Sequence, residues 1–205
     1  MKYDINHEFV SISSQTAKYR IILIHGWGAD ADDLLPLGRE IQEKTGFDFE
    51  IISLRAPGSH PTNTGRQWYS LYPHDWKGAE DEVDKLFISL KEFDTYKISL
   101  KKTILLGFSQ GAAMALDAGS KLDLGLIISC SGYPHPNWIP KKTCPPIIIS
   151  HGLMDDVVPI AASRSIFEKV KNKSSNLCEL IEFNGYHQID FNLIDNINLK
   201  IKDIF

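Results

Sequence analysis

The chain has 205 residues, 43% of them hydrophobic and 23% charged, with a formal net charge of −4, which suits a single globular domain over residues 1–205. This excludes a nucleic-acid binder, since the basic runs Lys101-Lys102 and Lys141-Lys142 make no basic face, and a stably inserted membrane protein, since no stretch approaches ~20 apolar residues. The cysteines Cys130, Cys144 and Cys178 match neither a disulfide framework nor a zinc pattern, and the start lacks the apolar core of a secretory signal, so a reducing, cytoplasmic location is expected.

In chain order, short apolar runs alternate with longer amphipathic ones. That is the pattern of an α/β protein: a mostly parallel, twisted sheet with helices on both faces. Phe9 to Ile12 reads as a first, antiparallel edge strand. Tyr19 to Ile24 (YRIILI) is almost continuously apolar, as a central strand covered on both faces requires. A helix is expected over about Asp33 to Lys44, with Leu34, Leu37 and Ile41 on one face, Asp32 or Asp33 as its cap and Pro36 in its first turn. Phe49 to Leu54 is the next strand. The segment from Arg55 to about Gly78 has no regular period and is rich in proline, glycine and aromatics. A loop that long inside a compact domain is usually functional. Glu80 to Phe93 has helical spacing at Val83, Leu86, Phe87 and Leu90. The alternation continues with a strand at Thr103–Phe108, a small-residue helix at Gln110–Ser120, and strands at Leu124–Ser129 and Ile147–Ser150. A helix at Ile160–Lys171, a strand at Leu177–Phe183 and a closing helix at Gln188–Ile204 complete it.

The sharpest motif is Gly107-Phe108-Ser109-Gln110-Gly111, preceded by a strand and followed by a helix. That context turns G-x-S-x-G from a short pattern into a nucleophile elbow: the serine occupies a strained turn with its hydroxyl projecting, and the glycines leave room around it. The Gln110 N–H opens the helix and is one candidate oxyanion donor. His25-Gly26-Trp27-Gly28 follows the central strand, where such folds place the second donor, and the Trp27 N–H is the candidate. His25 lies ahead of the elbow and reads as a structural hydrogen-bonding residue.

A carboxylate is expected at the end of the strand Pro146–Ser150, where Asp155 and Asp156 compete. Asp117 lies on the helix after the elbow, and Asp123 precedes its strand, at the wrong edge of the sheet. His187, in Phe183-Asn184-Gly185-Tyr186-His187, is the late histidine on a loop after a strand, completing the chain order serine, aspartate, histidine used by this fold. His7, His60, His74 and His135 read as surface or loop residues, and His151 as ordering its own loop.

With these residues assembled, the chain resembles the phospholipase/carboxylesterase family, which includes the acyl-protein thioesterases. The resemblance rests on IILIHGWGADADDLLPL, the RAP segment with RQWYSL, LLGFSQGAAMAL, and HGLMDDVVPI followed by GYHQI. It implies an α/β-hydrolase fold without a large lid domain and a triad of Ser109, Asp155 and His187. In that family the acid stands four residues after the histidine of the His-Gly pair, which selects Asp155 over Asp156. Trp27 and Gln110 would form the oxyanion hole. The chain departs from many relatives at Ala112, where they have glycine, at Asp156, where they have proline, and at Trp68-Tyr69-Ser70 in place of a Trp-Phe-Asp segment.

The function expected is hydrolysis of a carboxylic ester or thioester through an acyl-enzyme, with a small-molecule substrate or an acylated protein as partner. No cofactor or metal is implied. An open acyl groove for roughly C2 to C8 chains is expected from Trp68, Tyr69, Leu71, Tyr72, Leu153 and Met154, because pockets are lined mainly by apolar and aromatic side chains. A peptidase on the same fold and a non-catalytic binding module are the rival readings. The latter usually lacks a triad member, and none is missing here. Monomer and homodimer are both left open.

Overall fold

Alternation along the strands sorts the apolar residues into two layers. On the central strand β3 (Tyr19–Ile24), Ile22 and Ile24 face one side and Ile21 and Leu23 the other, all fully buried. Such burial is worth about 1.5–3 kcal/mol per side chain, so both faces of the strand demand a cover. The computed structural model describes residues 2–5, 8–174, 176–190 and 192–204. Its main sheet has eight strands in the order β1 (Lys2–Ile5), β2 (Phe9–Ser13), β4 (Phe49–Leu54), β3, β7 (Thr103–Phe108), β8 (Leu126–Cys130), β9 (Ile147–Gly152) and β10 (Cys178–Phe183). From β4 to β10 every pairing is parallel, while β2 runs antiparallel to both β4 and β1.

Helices α2 (Trp76–Glu92), α3 (Gln110–Gly119) and α4 (Ala161–Lys171) cover the face of Ile22, Leu105, Ile127 and Ile149, contributing Val83, Leu86, Met114 and Ile166. Helices α1 (Leu35–Thr45) and α5 (Asn192–Ile204) cover the face of Ile21, Leu106, Ile128 and Ile148 with Ile41, Leu193, Ile197 and Ile201. This is the doubly covered α/β-hydrolase sheet, with no lid domain among the described residues. The three cysteines are free thiols. Burial pushes Cys130 up to about 12, and likewise Cys178, so neither is a nucleophile near neutral pH.

Some local expectations change. Phe9–Ser13 is the second strand rather than the edge, because Lys2–Ile5 pairs outside it. Neither Asp32 nor Asp33 caps α1. Leu34 holds the cap position without a side-chain bond, and the Asp33 carboxylate accepts from the Asp30 N–H instead. Helix α2 starts at Trp76, with Asp75 accepting from the Gly78 N–H at 2.8 Å, so the long irregular segment is shorter than its composition suggests. That segment also contains a small hairpin, β5 (Gly58–Ser59) with β6 (Arg66–Gln67).

Two glycines distinguish a soft contact from a hard one. A Cβ on Gly38 would meet side-chain methyls, Ile51 Cγ2 at 2.8 Å and Leu23 Cδ1 at 3.1 Å, whereas one on Gly111 would lie 2.1 Å from the Ile24 carbonyl oxygen and 2.4 Å from that of His25, both main chain. Gly111→Ala is expected to cost about 3 kcal/mol by forcing α3 off the end of β3. Gly38→Ala should cost less, about 1–2 kcal/mol, because side-chain methyls can yield where main chain cannot and the gain in helix propensity offsets part of the crowding. Urea midpoints of the two variants check the contrast.

Candidate active site

Strand β7 ends at Phe108 and α3 begins at Gln110, so Ser109 alone turns the chain. Its φ is 54° and ψ −118°, a conformation non-glycine residues rarely adopt. Close packing enforces it: a Cβ on Gly107 would come within 2.3 Å of the Gly111 carbonyl oxygen, and Gly111 already sits against β3. The Ser109 N–H donates to the Cys130 carbonyl at 2.9 Å, anchoring the turn to β8. The hydroxyl is left projecting at the carboxyl edge of the sheet, where open α/β folds bind ligands.

There Ser109 Oγ lies 2.9 Å from His187 Nε2, and His187 Nδ1 lies 2.7 Å from Asp155 Oδ2. The other carboxylate oxygen, Oδ1, accepts from the N–H groups of Val157 at 3.0 Å and Val158 at 2.8 Å. Burial opposes ionisation of Asp155, but the His187 bond and the Val158 and Val157 N–H groups outweigh it and hold the carboxyl below its ordinary range. An ionised Asp155 only accepts, so the His187 proton sits on Nδ1 and Nε2 presents its lone pair to the serine. Asp156 points to solvent. The loops bearing acid and base are joined by Leu153 N–H to the Phe183 carbonyl and Met154 N–H to the Gly185 carbonyl, each 2.9 Å.

His151 supports this arrangement. It is fully buried, its Nε2 lies 2.7 Å from the Val158 carbonyl and 3.2 Å from Asp155 Oδ2, and its Nδ1 is 2.6 Å from Ser163 Oγ. A carbonyl only accepts, so Nε2 carries the proton. Desolvation lowers the His151 pKa and keeps the ring neutral. His25 is likewise buried, and desolvation lowers its pKa. Nδ1 bonds the Gly26 carbonyl at 2.8 Å while Nε2 accepts the Ala56 N–H at 3.1 Å, which is the structural role expected.

The two expected oxyanion donors belong to the residue after the serine and to the loop after β3. A Cβ on Gly26 would lie 3.4 Å from Ser109 Cβ, so the loop after β3 packs against Ser109 at Gly26. The N–H groups of Trp27 and Gln110 have no protein acceptor among the described residues. The Gln110 side chain has a task that the motif did not disclose. Its Oε1 accepts the Trp68 N–H at 3.0 Å and its Nε2 donates to the Tyr69 carbonyl at 2.9 Å, clamping the aromatic loop to α3.

The expected groove is corrected at two positions. Trp68 and Tyr69 are 6% and 5% exposed. The Trp68 indole donates to the His25 carbonyl and the Tyr69 hydroxyl contacts Tyr133 and His135, so both residues support the loop from beneath. Leu71 is half-buried, while Tyr72, Leu153 and Met154 are exposed and free to wall a groove. Clefts of about 560 and 460 Å³ lie elsewhere, and neither includes Ser109, Asp155 or His187. His74 is exposed as expected, and His7 lies outside the described residues. His60 and His135 lie on loops, as the surface-or-loop reading allows, but both are buried. His135 Nδ1 pairs with Asp117 Oδ2 at 3.0 Å across 18 residues, a separation that carries no sequence pattern. Asp123 pairs with Lys101 at 3.2 Å, away from the site.

The fold and this constellation define an α/β-hydrolase of the serine type. Residues 5–203 match the phospholipase/carboxylesterase family. The chain belongs to that family and is a hydrolase of its ester-cleaving class. It is 30% identical over 203 residues to acyl-protein thioesterase 1 of Saccharomyces cerevisiae, covering 86% of this chain and 87% of the relative. It is 26% identical over 196 residues to acyl-protein thioesterase 1 homolog 1 of Dictyostelium discoideum, covering 86% of each. Among solved structures, esterase PE8 superposes with a TM-score of 0.82 at 28% identity, covering 95% of this chain and 97% of the other. The Bacillus cereus carboxylesterase shares the fold, with a TM-score of 0.80 at 18% identity and 97% and 95% coverage.

The Asp155 environment makes a pH-dependent stability prediction. A carboxyl whose pKa is depressed on folding stabilises the fold above its unfolded value, about 3.9, and that contribution is lost as pH falls through the folded value. Asp155→Asn should therefore be less stable than wild type at pH 7, by about 2 kcal/mol, with the gap narrowing below pH ~4. Asp156→Asn should match wild type throughout. Chemical denaturation at the two pH values tests both.

Proposed function

We propose that Ser109, Asp155 and His187 are the nucleophile, acid and base of a hydrolase acting on carboxylic esters and thioesters, and that the N–H groups of Trp27 and Gln110 bind the oxyanion. The observation that carries the reading is the single imidazole bonded to both the serine hydroxyl, at 2.9 Å, and the buried carboxylate, at 2.7 Å. In this mechanism His187 Nε2 removes the Ser109 proton as Oγ attacks the carbonyl carbon, and Asp155 stabilises the imidazolium. The negative charge on the carbonyl oxygen develops toward two N–H groups held ready for it. His187 then returns the proton to the departing alcohol or thiol. Water, activated by the same nitrogen, cleaves the acyl-enzyme and frees Ser109.

The thioesterase names of the relatives extend the substrate class to acylated proteins, whose cysteine thiol would be the leaving group. Thiols leave readily, so a fixed imidazolium and a preformed oxyanion site suffice for them. Free buried thiols favour a cytoplasmic setting, and no helix among the described residues is long and apolar enough to cross a membrane. Tyr72, Leu153 and Met154 favour a shallow acyl groove open to solvent.

A serine-directed fluorophosphonate should label wild type at Ser109 alone, and Ser109→Ala should lose about 10⁴- to 10⁶-fold in ester hydrolysis. Labelling at another residue, or an active alanine variant, rejects the assignment. Asp155→Asn should lose up to about 10⁴-fold, because the amide favours the wrong imidazole tautomer, while Asp156→Asn keeps most activity. Across p-nitrophenyl esters and acyl-thioesters, log(kcat/KM) should rise with chain length to about C8 and then level, each methylene adding about 0.8 kcal/mol while the groove lasts. A continued rise to C16 would demand a deep enclosed pocket instead.

A further inference from the structure

His60 stands outside the triad, and no motif marks it, yet it is packed against the loop expected to bind the oxyanion. It is 8% exposed, and its Nε2 is buried with no hydrogen-bond partner among the described residues. Its Nδ1 lies 2.7 Å from Thr62 Oγ1 and takes the Thr62 main-chain N–H at 3.3 Å. A main-chain N–H only donates, so Nδ1 is the accepting nitrogen and the proton sits on Nε2. The fold thus keeps a buried N–H without an acceptor, an arrangement rare enough to need a reason.

The surroundings supply one. The His60 ring meets the Trp27 indole edge to face, with centroids 4.0 Å apart and planes at 67°. The Cδ2–Nε2 edge faces Gly28, where a Cβ would lie 3.5 Å from both atoms. Gly28 has φ +81°, and its N–H donates to the Arg66 carbonyl at 2.8 Å. The far side of the indole is fixed as well, since Trp27 Nε1 donates to Gln67 Oε1 at 2.9 Å. The peptide carrying the Trp27 N–H is therefore held by its own side chain, gripped between His60 and Gln67.

We propose that His60 is a positioning residue for the oxyanion site: its ring fixes the Trp27 indole and Gly28, and through them the direction of the Trp27 N–H, without touching the substrate. The inference rests on Trp27 being an oxyanion donor, as argued above. It also divides the histidine into two tasks. Nδ1 shapes the turn from His60 to Gly65, whose last residue packs on the Gly28 carbonyl, and the ring holds Trp27.

The two tasks separate by substitution. His60→Asn keeps an acceptor for the Thr62 N–H but removes the ring. His60→Phe keeps the ring and removes the acceptor. Losing an oxyanion donor outright costs about 10²- to 10³-fold in kcat, so a donor left in place but misdirected should cost about 10-fold. His60→Asn should lower kcat about 10-fold with KM nearly unchanged, and His60→Phe should stay within about 3-fold of wild type. A trifluoromethyl ketone, which adds to the serine and places an oxyanion in the hole, should bind His60→Asn about 10-fold more weakly, while a non-reactive ether analogue binds both equally. Full kcat in His60→Asn, a loss confined to KM, or equal losses in both variants would overturn the assignment. A trifluoromethyl ketone that fails to inhibit wild type, or inhibits Ser109→Ala equally well, would overturn the oxyanion reading and this inference with it.

Discussion

The contact on which the site depends is the one between Gly111 and the carbonyl end of β3. A Cβ there would overlap two main-chain oxygens, so only a glycine lets α3 start flush against the strand. Once α3 is seated there, the chain leaving β7 has one residue in which to turn, and Ser109 takes the positive φ that the turn demands. Everything chemically important is then fixed by backbone. The hydroxyl projects from the sheet edge, the Gln110 N–H opens α3 directly after it, and the loop after β3 packs against Ser109 at Gly26. The parallel strands β3, β7, β8, β9 and β10, neighbours in that order, deliver their carboxyl ends along one edge of the sheet. The order of the sheet thereby becomes the arrangement of the site.

The acid end is organised by saturation rather than by strain. The Asp155 carboxylate is met by His187, by two main-chain N–H groups and by the flank of His151. A buried carboxylate surrounded by donors stays ionised and immobile, and it leaves His187 only one tautomer to adopt. His151 and His25 show the opposite use of the same residue type. Each is buried, neutral and bonded on both nitrogens, so each serves as a hinge pin between loops rather than as a base.

What the sequence discloses follows from the range of each interaction. Strands such as Tyr19–Ile24, Phe49–Leu54 and Thr103–Phe108 are legible to the residue because a doubly buried strand must be apolar throughout. The elbow is legible because its glycines are obligatory within five residues. The edge strand Lys2–Ile5 escapes notice because its four residues are too few to show a period, and the cap of α1 is misassigned because Asp33 serves Asp30. Trp68 and Tyr69 look like groove walls from composition, yet their polar atoms are spent inside the fold. The Asp117–His135 pair, the Gln110 clamp and the His60–Trp27 contact join segments far apart in the chain. No local period encodes such contacts, and they appear only when the topology closes.

The chain order of the site also bears on when the protein becomes chemically competent. Ser109 follows β7 in the middle of the chain, but the proposed acid, Asp155, follows β9, and the proposed base, His187, follows β10, at the edge of the sheet. A nascent polypeptide that has emerged only as far as β8 carries the elbow without the proposed base. Its serine is then no more reactive than an ordinary alcohol. On the proposed assignment, hydrolytic power arrives with the last strand, after the long-range pairings that are slowest to form. An immature or misassembled copy is thereby silent toward the esters around it, and turnover becomes a report that the whole sheet has closed.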